Sequence, residues 1–131
     1  MIVADVNVLA YLYLPGPHSE AAEALLLRDA DWMVPRLWRS ELRNVLTTYM
    51  RLRQLTFEAA VDINRRAEAL LGDNEYDVSA LAVLRLAKES RCSAYDCEYI
   101  ALAEYLDVKL VSADKKLCKA FPARTVALSA A

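Results

Sequence analysis

The chain has 131 residues, 56% of them hydrophobic, with 16 Lys and Arg against 18 Asp and Glu for a formal net charge of -2. That length holds one ordinary domain of roughly 100–150 residues and not two, and a slightly acidic molecule is no electrostatic magnet for nucleic acid, so any such contact has to be local. Only two glycines are present, Gly16 and Gly72, which excludes the Gly-rich phosphate loops G-x-x-x-x-G-K-[ST] and G-x-G-x-x-G and the nucleotide-binding classes built on them.

From the start of the chain, residues 2–4 read as a short buried strand and 7–14 as a helix that stops at Pro15-Gly16-Pro17. Ser19 opens a second helix to about residue 28, and 32–34 form a second strand closed by Pro35. Between 36 and about 53, Trp38, Leu42, Val45, Leu46, Tyr49 and Leu52 recur every three or four residues, the stripe of an amphipathic helix. Thr56 caps a further helix that runs to Leu71 and ends at Gly72. Residues 76–78 read as a third strand, and Ser79 caps a helix over 80–90. Then come a helix over 93–106, an apolar strand over 108–111, a short helix over 114–120 and a last strand over 125–128. Strands alternating with helices predict an α/β fold with a central parallel sheet covered on both faces.

The first segment lacks a basic start, carries Asp5 early and loses its apolar character at Pro15, so neither a signal peptide nor a membrane span fits. The expectation is a cytoplasmic protein with no membrane partner. Cys92, Cys97 and Cys118 form an odd set without C-x-x-C spacing, which favours buried thiols in a reducing compartment. The single histidine, His18, lies in the turn PGPHSE and reads as a surface residue. A Ser-His-Asp triad, an H-E-x-x-H zinc site or a two-histidine ribonuclease mechanism therefore lacks its residues.

Four acids stand at the ends of predicted elements: Asp5 after the first strand, Glu41 early in the third helix, Asp96 in the first turn of its helix, and Asp114 after the strand over 108–111. Open parallel sheets bind ligands above the carboxyl ends of their strands, where such positions gather. Each acid also has a plainer explanation. Asp5 and Asp114 are reasonable N-caps, and Asp96, three residues after Ser93, has the spacing of a capping box. Glu41 is harder to explain so, because Leu37, Trp38 and Val45 place it in the apolar stripe, where a carboxylate is costly unless paired or bound to metal. Asp96 likewise shares a helix face with Tyr99, Ile100 and Ala103.

The stretches MIVADVNVL, RSELRNVL, AYDCEYIALAEYL and LVSADKKL, each centred on one of these acids, closely resemble the PIN domain, in order and over essentially the whole chain. The resemblance is to single-domain PIN proteins of the VapC type, the toxin halves of type II toxin-antitoxin pairs. It implies one PIN-like nuclease domain over residues 1–131 and a metal-dependent endoribonuclease that uses Mg²⁺ or Mn²⁺. Asp5, Glu41, Asp96 and Asp114 would form the acidic metal site, with Asn7 and Ser112 supporting it; Ser112 stands where Thr is commoner. It also implies an RNA substrate, a small antitoxin that inhibits the enzyme, and a homodimer. An all-oxygen ligand set suits those cations, which hold clustered carboxylates ionised. Arg39, Arg43, Lys115 and Lys116 are candidates for RNA phosphate contacts, or else belong to a solvated charged face. Glu98 reads as a solvated helix position. Two rivals remain: a catalytically inactive PIN-like module that binds RNA or protein, and a receiver-like phosphoacceptor signalling domain. The second needs an adjacent acid pair after the first strand, whereas Asp5 is followed by Val6.

Overall fold

Side chains alternate across a strand, and in the first strand this alternation sorts the whole interior. The computed structural model describes residues 1–131. In β1 (Ile2–Ala4), Val3 joins Met33 and Leu110 in one core, while Ala4 joins Trp32, Val34 and Val111 in the other. The strand is apolar throughout because it is buried on both faces, as parallel sheets are. β1 pairs with β2 (Trp32–Pro35) through Ile2 opposite Trp32, and with β4 (Leu110–Ser112) through Ala4 opposite Val111. β3 (Glu75–Tyr76) extends the sheet beyond β2, and β5 (Thr125–Ala127) extends it beyond β4. The order is β3-β2-β1-β4-β5, all parallel.

One face is covered by α1 (Val6–Tyr13), α2 (Ser19–Arg28), α3 (Trp38–Arg51) and α4 (Phe57–Leu71). The other is covered by α5 (Ala80–Ser90), α6 (Ala94–Leu106) and α7 (Lys115–Ala120). The expected α/β architecture is what the chain adopts. Caps set most of the helix starts, with Thr56, Ser79 and Ser93 each accepting an N–H bond from the first turn of α4, α5 and α6.

Ser19 opens α2 as expected, and its hydroxyl donates back to the Leu14 carbonyl at 2.7 Å, fastening the proline turn. Several boundaries differ from expectation. β3 begins at Glu75 rather than 76, because the Asn74 amide reaches the Trp32 carbonyl at 2.9 Å and fixes the register. β4 begins at Leu110 rather than 108, since Asp107 takes a left-handed conformation (φ 54°) and the Val108 N–H still donates to Ala103 of the preceding helix. After β5 the chain turns into a short 3-10 helix, Leu128–Ala130, that buries Leu128. Gly72 is required by space, not by its φ: a Cβ there would come within 2.8 Å of the Glu68 carbonyl oxygen. Cys92 and Cys97 are buried free thiols, and Cys118 is half-buried.

The start of α3 is anchored by charge. Arg39 donates to both oxygens of Glu75, at 2.6 and 2.7 Å, and to Glu68 at 2.9 Å, while the Trp38 indole N–H donates to Glu75 at 2.8 Å. The Glu75 side chain is only 6% exposed, and the Arg39 guanidinium holds its carboxyl below the ordinary glutamate range. A depressed acid contributes stability that is complete above its unfolded pKa and is lost as pH falls through its folded pKa. Glu75→Gln is expected to cost about 1–3 kcal/mol at neutral pH, the loss of charge-assisted bonds. Urea unfolding as pH is lowered through and below the glutamate range should show that cost shrinking, because the wild-type pair is then lost too.

Candidate active site

Ala4 lies opposite Val111 in the sheet, so whatever follows β1 and β4 is delivered to one place. After β1, Asp5 sits at the N-cap of α1; its Oδ1 accepts from the Val8 N–H at 3.0 Å and its Oδ2 accepts from the Ser112 hydroxyl. Ser112 ends β4, and its oxygen accepts the Asp114 N–H at 3.0 Å. Asp114 caps α7, its Oδ1 accepting from the N–H groups of Lys116 and Leu117 at 2.9 and 3.1 Å. Capping is therefore a true account of Asp5 and Asp114, though an incomplete one.

Burial is the main reason the Asp5 carboxyl titrates above its ordinary range, with Ser112 and backbone N–H groups opposing and the charge of Asp114 adding to it. Glu41 is raised by burial and then by the charges of Asp96 and Asp5, against the Tyr99 hydrogen bond. Asp96 is raised by burial and by Asp114, with Lys116 opposing. Ser112 links Asp5 to Asp114, and Tyr99 links Glu41 to the helix that carries Asp96, so the four carboxylates form an acidic ring near enough for their charges to act on one another. Four acids far apart in sequence meet at the carboxyl edge of the sheet.

Two further groups belong to this neighbourhood. Tyr99, 2% exposed, donates its hydroxyl to Glu41 Oε1 at 2.6 Å, and burial plus the charge of Glu41 keep the phenol protonated as a donor. Its sequence signal is its place three residues after Asp96 on the inward face of α6. Glu98 is half-buried rather than solvated, and its charge reaches both Glu41 and Tyr99.

Of the expected supporting residues, Ser112 is buried and bonded to Asp5, whereas Asn7 is exposed in the first turn of α1. Lys116 lies near enough to Asp96 to stabilise its charge, and Lys115 is exposed beside it. The structure does not bring Arg39 and Arg43 to the acids. Residues two apart on a helix point about 200° apart, so both turn away from Glu41. Arg39 is committed to Glu75 and Glu68, and Arg43 borders a groove with Phe57 and Val61 of α4.

The donor set is all oxygen, which fits a hard divalent cation such as Mg²⁺ or Mn²⁺. No three Asp, Glu, His or Cys side chains are gathered tightly enough to grip one as they stand.

This fold and edge-on acidic ring define a PIN domain, and residues 2–121 match that family; the chain belongs to it. Within the family it resembles the VapC type: ribonuclease VapC3 of Pyrobaculum aerophilum is 28% identical over 125 residues, 93% of this chain and 95% of that one. FitAcB from Neisseria gonorrhoeae shares the fold with a TM-score of 0.77 at 17% identity, over 98% of this chain and 99% of that one. A toxin-antitoxin complex from Klebsiella pneumoniae does so with a TM-score of 0.70 at 17% identity, over 98% of each chain. PIN membership sets aside the receiver-like alternative.

Asp5→Asn separates the cap from the charge. Asn caps about as well as Asp, and removing one of several repelling carboxylates relieves the others. The melting temperature of the metal-free variant is expected to equal or slightly exceed that of wild type, while the rise produced by Mg²⁺ or Mn²⁺ shrinks. Equal metal-induced shifts in the two proteins would reduce Asp5 to a cap.

Proposed function

We propose that this PIN domain is a metal-dependent endoribonuclease and the toxin half of a toxin-antitoxin pair. The observation that carries the reading is the gathering of Asp5, Glu41, Asp96 and Asp114 at the carboxyl edge of the sheet, with Asp5 joined to Asp114 through Ser112 and Glu41 joined to the helix of Asp96 through Tyr99. Mg²⁺ or Mn²⁺, when bound, supplies an activated water and positive charge at the leaving oxygen of a phosphodiester. The four acids would hold it. Ser112 and the Val8 N–H orient the two oxygens of Asp5, and Tyr99 orients Glu41. Lys115 and Lys116, exposed at the start of α7, would receive RNA phosphates. Arg39 has no part in this, since its charge is spent within the fold.

RNA as substrate is supported by the likeness to a ribonuclease. A small antitoxin is supported by the toxin-antitoxin complex among the structures of the same fold. Exposed Leu81, Leu84, Tyr95 and Tyr105 offer apolar surface that an antitoxin or a second copy of the chain would cover.

Cleavage of labelled RNA is expected to require Mg²⁺ or Mn²⁺, and Glu41→Gln or Asp96→Asn to lower it at least about a hundredfold, since each removes a charged metal ligand. Undiminished cleavage in excess chelator would overturn the mechanism. Tyr99→Phe should act more mildly, roughly tenfold on kcat with little change in KM, because it frees Glu41 without removing it.

A further inference from the structure

α1 starts at Asp5 and α3 carries Glu41 in its first turn, so both helices lead away from the acidic ring. Between them lies a cleft of about 410 Å³, within the roughly 300–1,000 Å³ range of small-ligand sites and far too small for a duplex. Asn7 and Tyr11 line it from α1, one turn apart; Asn44, Thr48 and Tyr49 line it from α3. The Pro15-Gly16-Pro17 turn closes the far end, pinned by the Ser19 bond to Leu14. Nothing charged lines this space. Tyr11 and Tyr49 make the aromatic wall of the cleft from the two helices, and the His18 ring, outside the lining, lies against Tyr11 with centroids 4.6 Å apart and planes tilted by 33°. The cleft opens beside the acids, because Asn7 follows Asp5 by two residues on α1 and Asn44 follows Glu41 by about one turn on α3.

Aromatic faces with amides and a hydroxyl, and no cation, suit a flat neutral group that hydrogen-bonds at its edges. They do not suit a phosphate. We propose that this cleft is a nucleobase subsite, in which one unpaired base next to the scissile phosphate stacks on Tyr11 while Asn44 and Thr48 contact its edge. The proposal rests on the nuclease reading and narrows it to single-stranded or looped RNA, since a base within a helix cannot leave its stack to enter. The aromatic wall supplies affinity for any base, and the amides supply preference among bases. Specificity is thereby separated from the acids, which touch only the backbone.

The test uses an unstructured oligoribonucleotide with the fluorescent base 2-aminopurine placed at successive positions, bound to the Asp96→Asn protein, in which cleavage is slow. Quenching is expected at one or two adjacent positions, and the same sequence annealed into a duplex should show none. Tyr11→Ala should abolish the quenching and weaken binding roughly tenfold, as loss of one stacked base does, with an unchanged salt slope because no phosphate contact is lost. Tyr11→Phe should retain both. Asn44→Ala, at an exposed position where folding is not at stake, should keep the quenching and alter which base is preferred. Quenching and affinity unchanged in Tyr11→Ala and Tyr49→Ala would overturn the subsite even if metal-dependent cleavage is intact. Failure of the protein to bind the oligonucleotide would overturn it as well. Tyr11-dependent quenching without any cleavage by wild type would uphold it and sink the nuclease reading instead.

Discussion

A carboxylate buried at the end of the central strand is the constraint from which the rest follows. Asp5 cannot be moved outward, because its backbone ends β1 and its side chain caps α1. It cannot be left alone either, since an unpartnered buried charge is costly. Ser112 and the Val8 N–H satisfy its oxygens, and in doing so lock β4 and α1 to β1. Asp114 then follows Ser112 into the same space. The stabilising bonds are thus also the device that assembles like charges, and burial near like charges raises the pKa values of Asp5, Glu41 and Asp96 together.

That arrangement separates two kinds of charge within one small domain. The Arg39-Glu75-Glu68 group is matched in sign and ties α3 to β3 and α4. The acidic ring is unmatched, relieved in part by Lys116 and the Tyr99 hydroxyl. Both ends of the contrast meet in the first turns of α3, where Arg39 faces inward to the fold's own acids and Glu41 faces the ring. A helix start held rigidly by one set of charges presents a further carboxylate to the cluster of acids.

Much of this was legible in the sequence, for reasons that can be named. The four acids announce themselves because each interrupts an apolar context at an element end, and the strand-helix alternation allows them to converge. Tyr99 and Glu98 did not, since what makes them matter is their nearness to Glu41 across more than fifty positions. Sequence adjacency misleads at Arg39 and Arg43: two positions along a helix are opposite faces, not neighbours. β3 was placed one residue late because its register is set by the Asn74 amide and not by apolar pattern.

The sheet also divides the interior into two cores that meet only through very short strands, and the acidic ring draws on both. Asp5 and Glu41 belong to elements of the α1–α4 layer, whereas Asp96, Tyr99 and Asp114 come from the layer of α6 and α7. The site is therefore a seam between two slabs. Like charges oppose one another across that seam, and the Tyr99-Glu41 hydrogen bond crosses it. A motion that separates the two slabs at this edge therefore has to break a side-chain bond between helices of opposite layers.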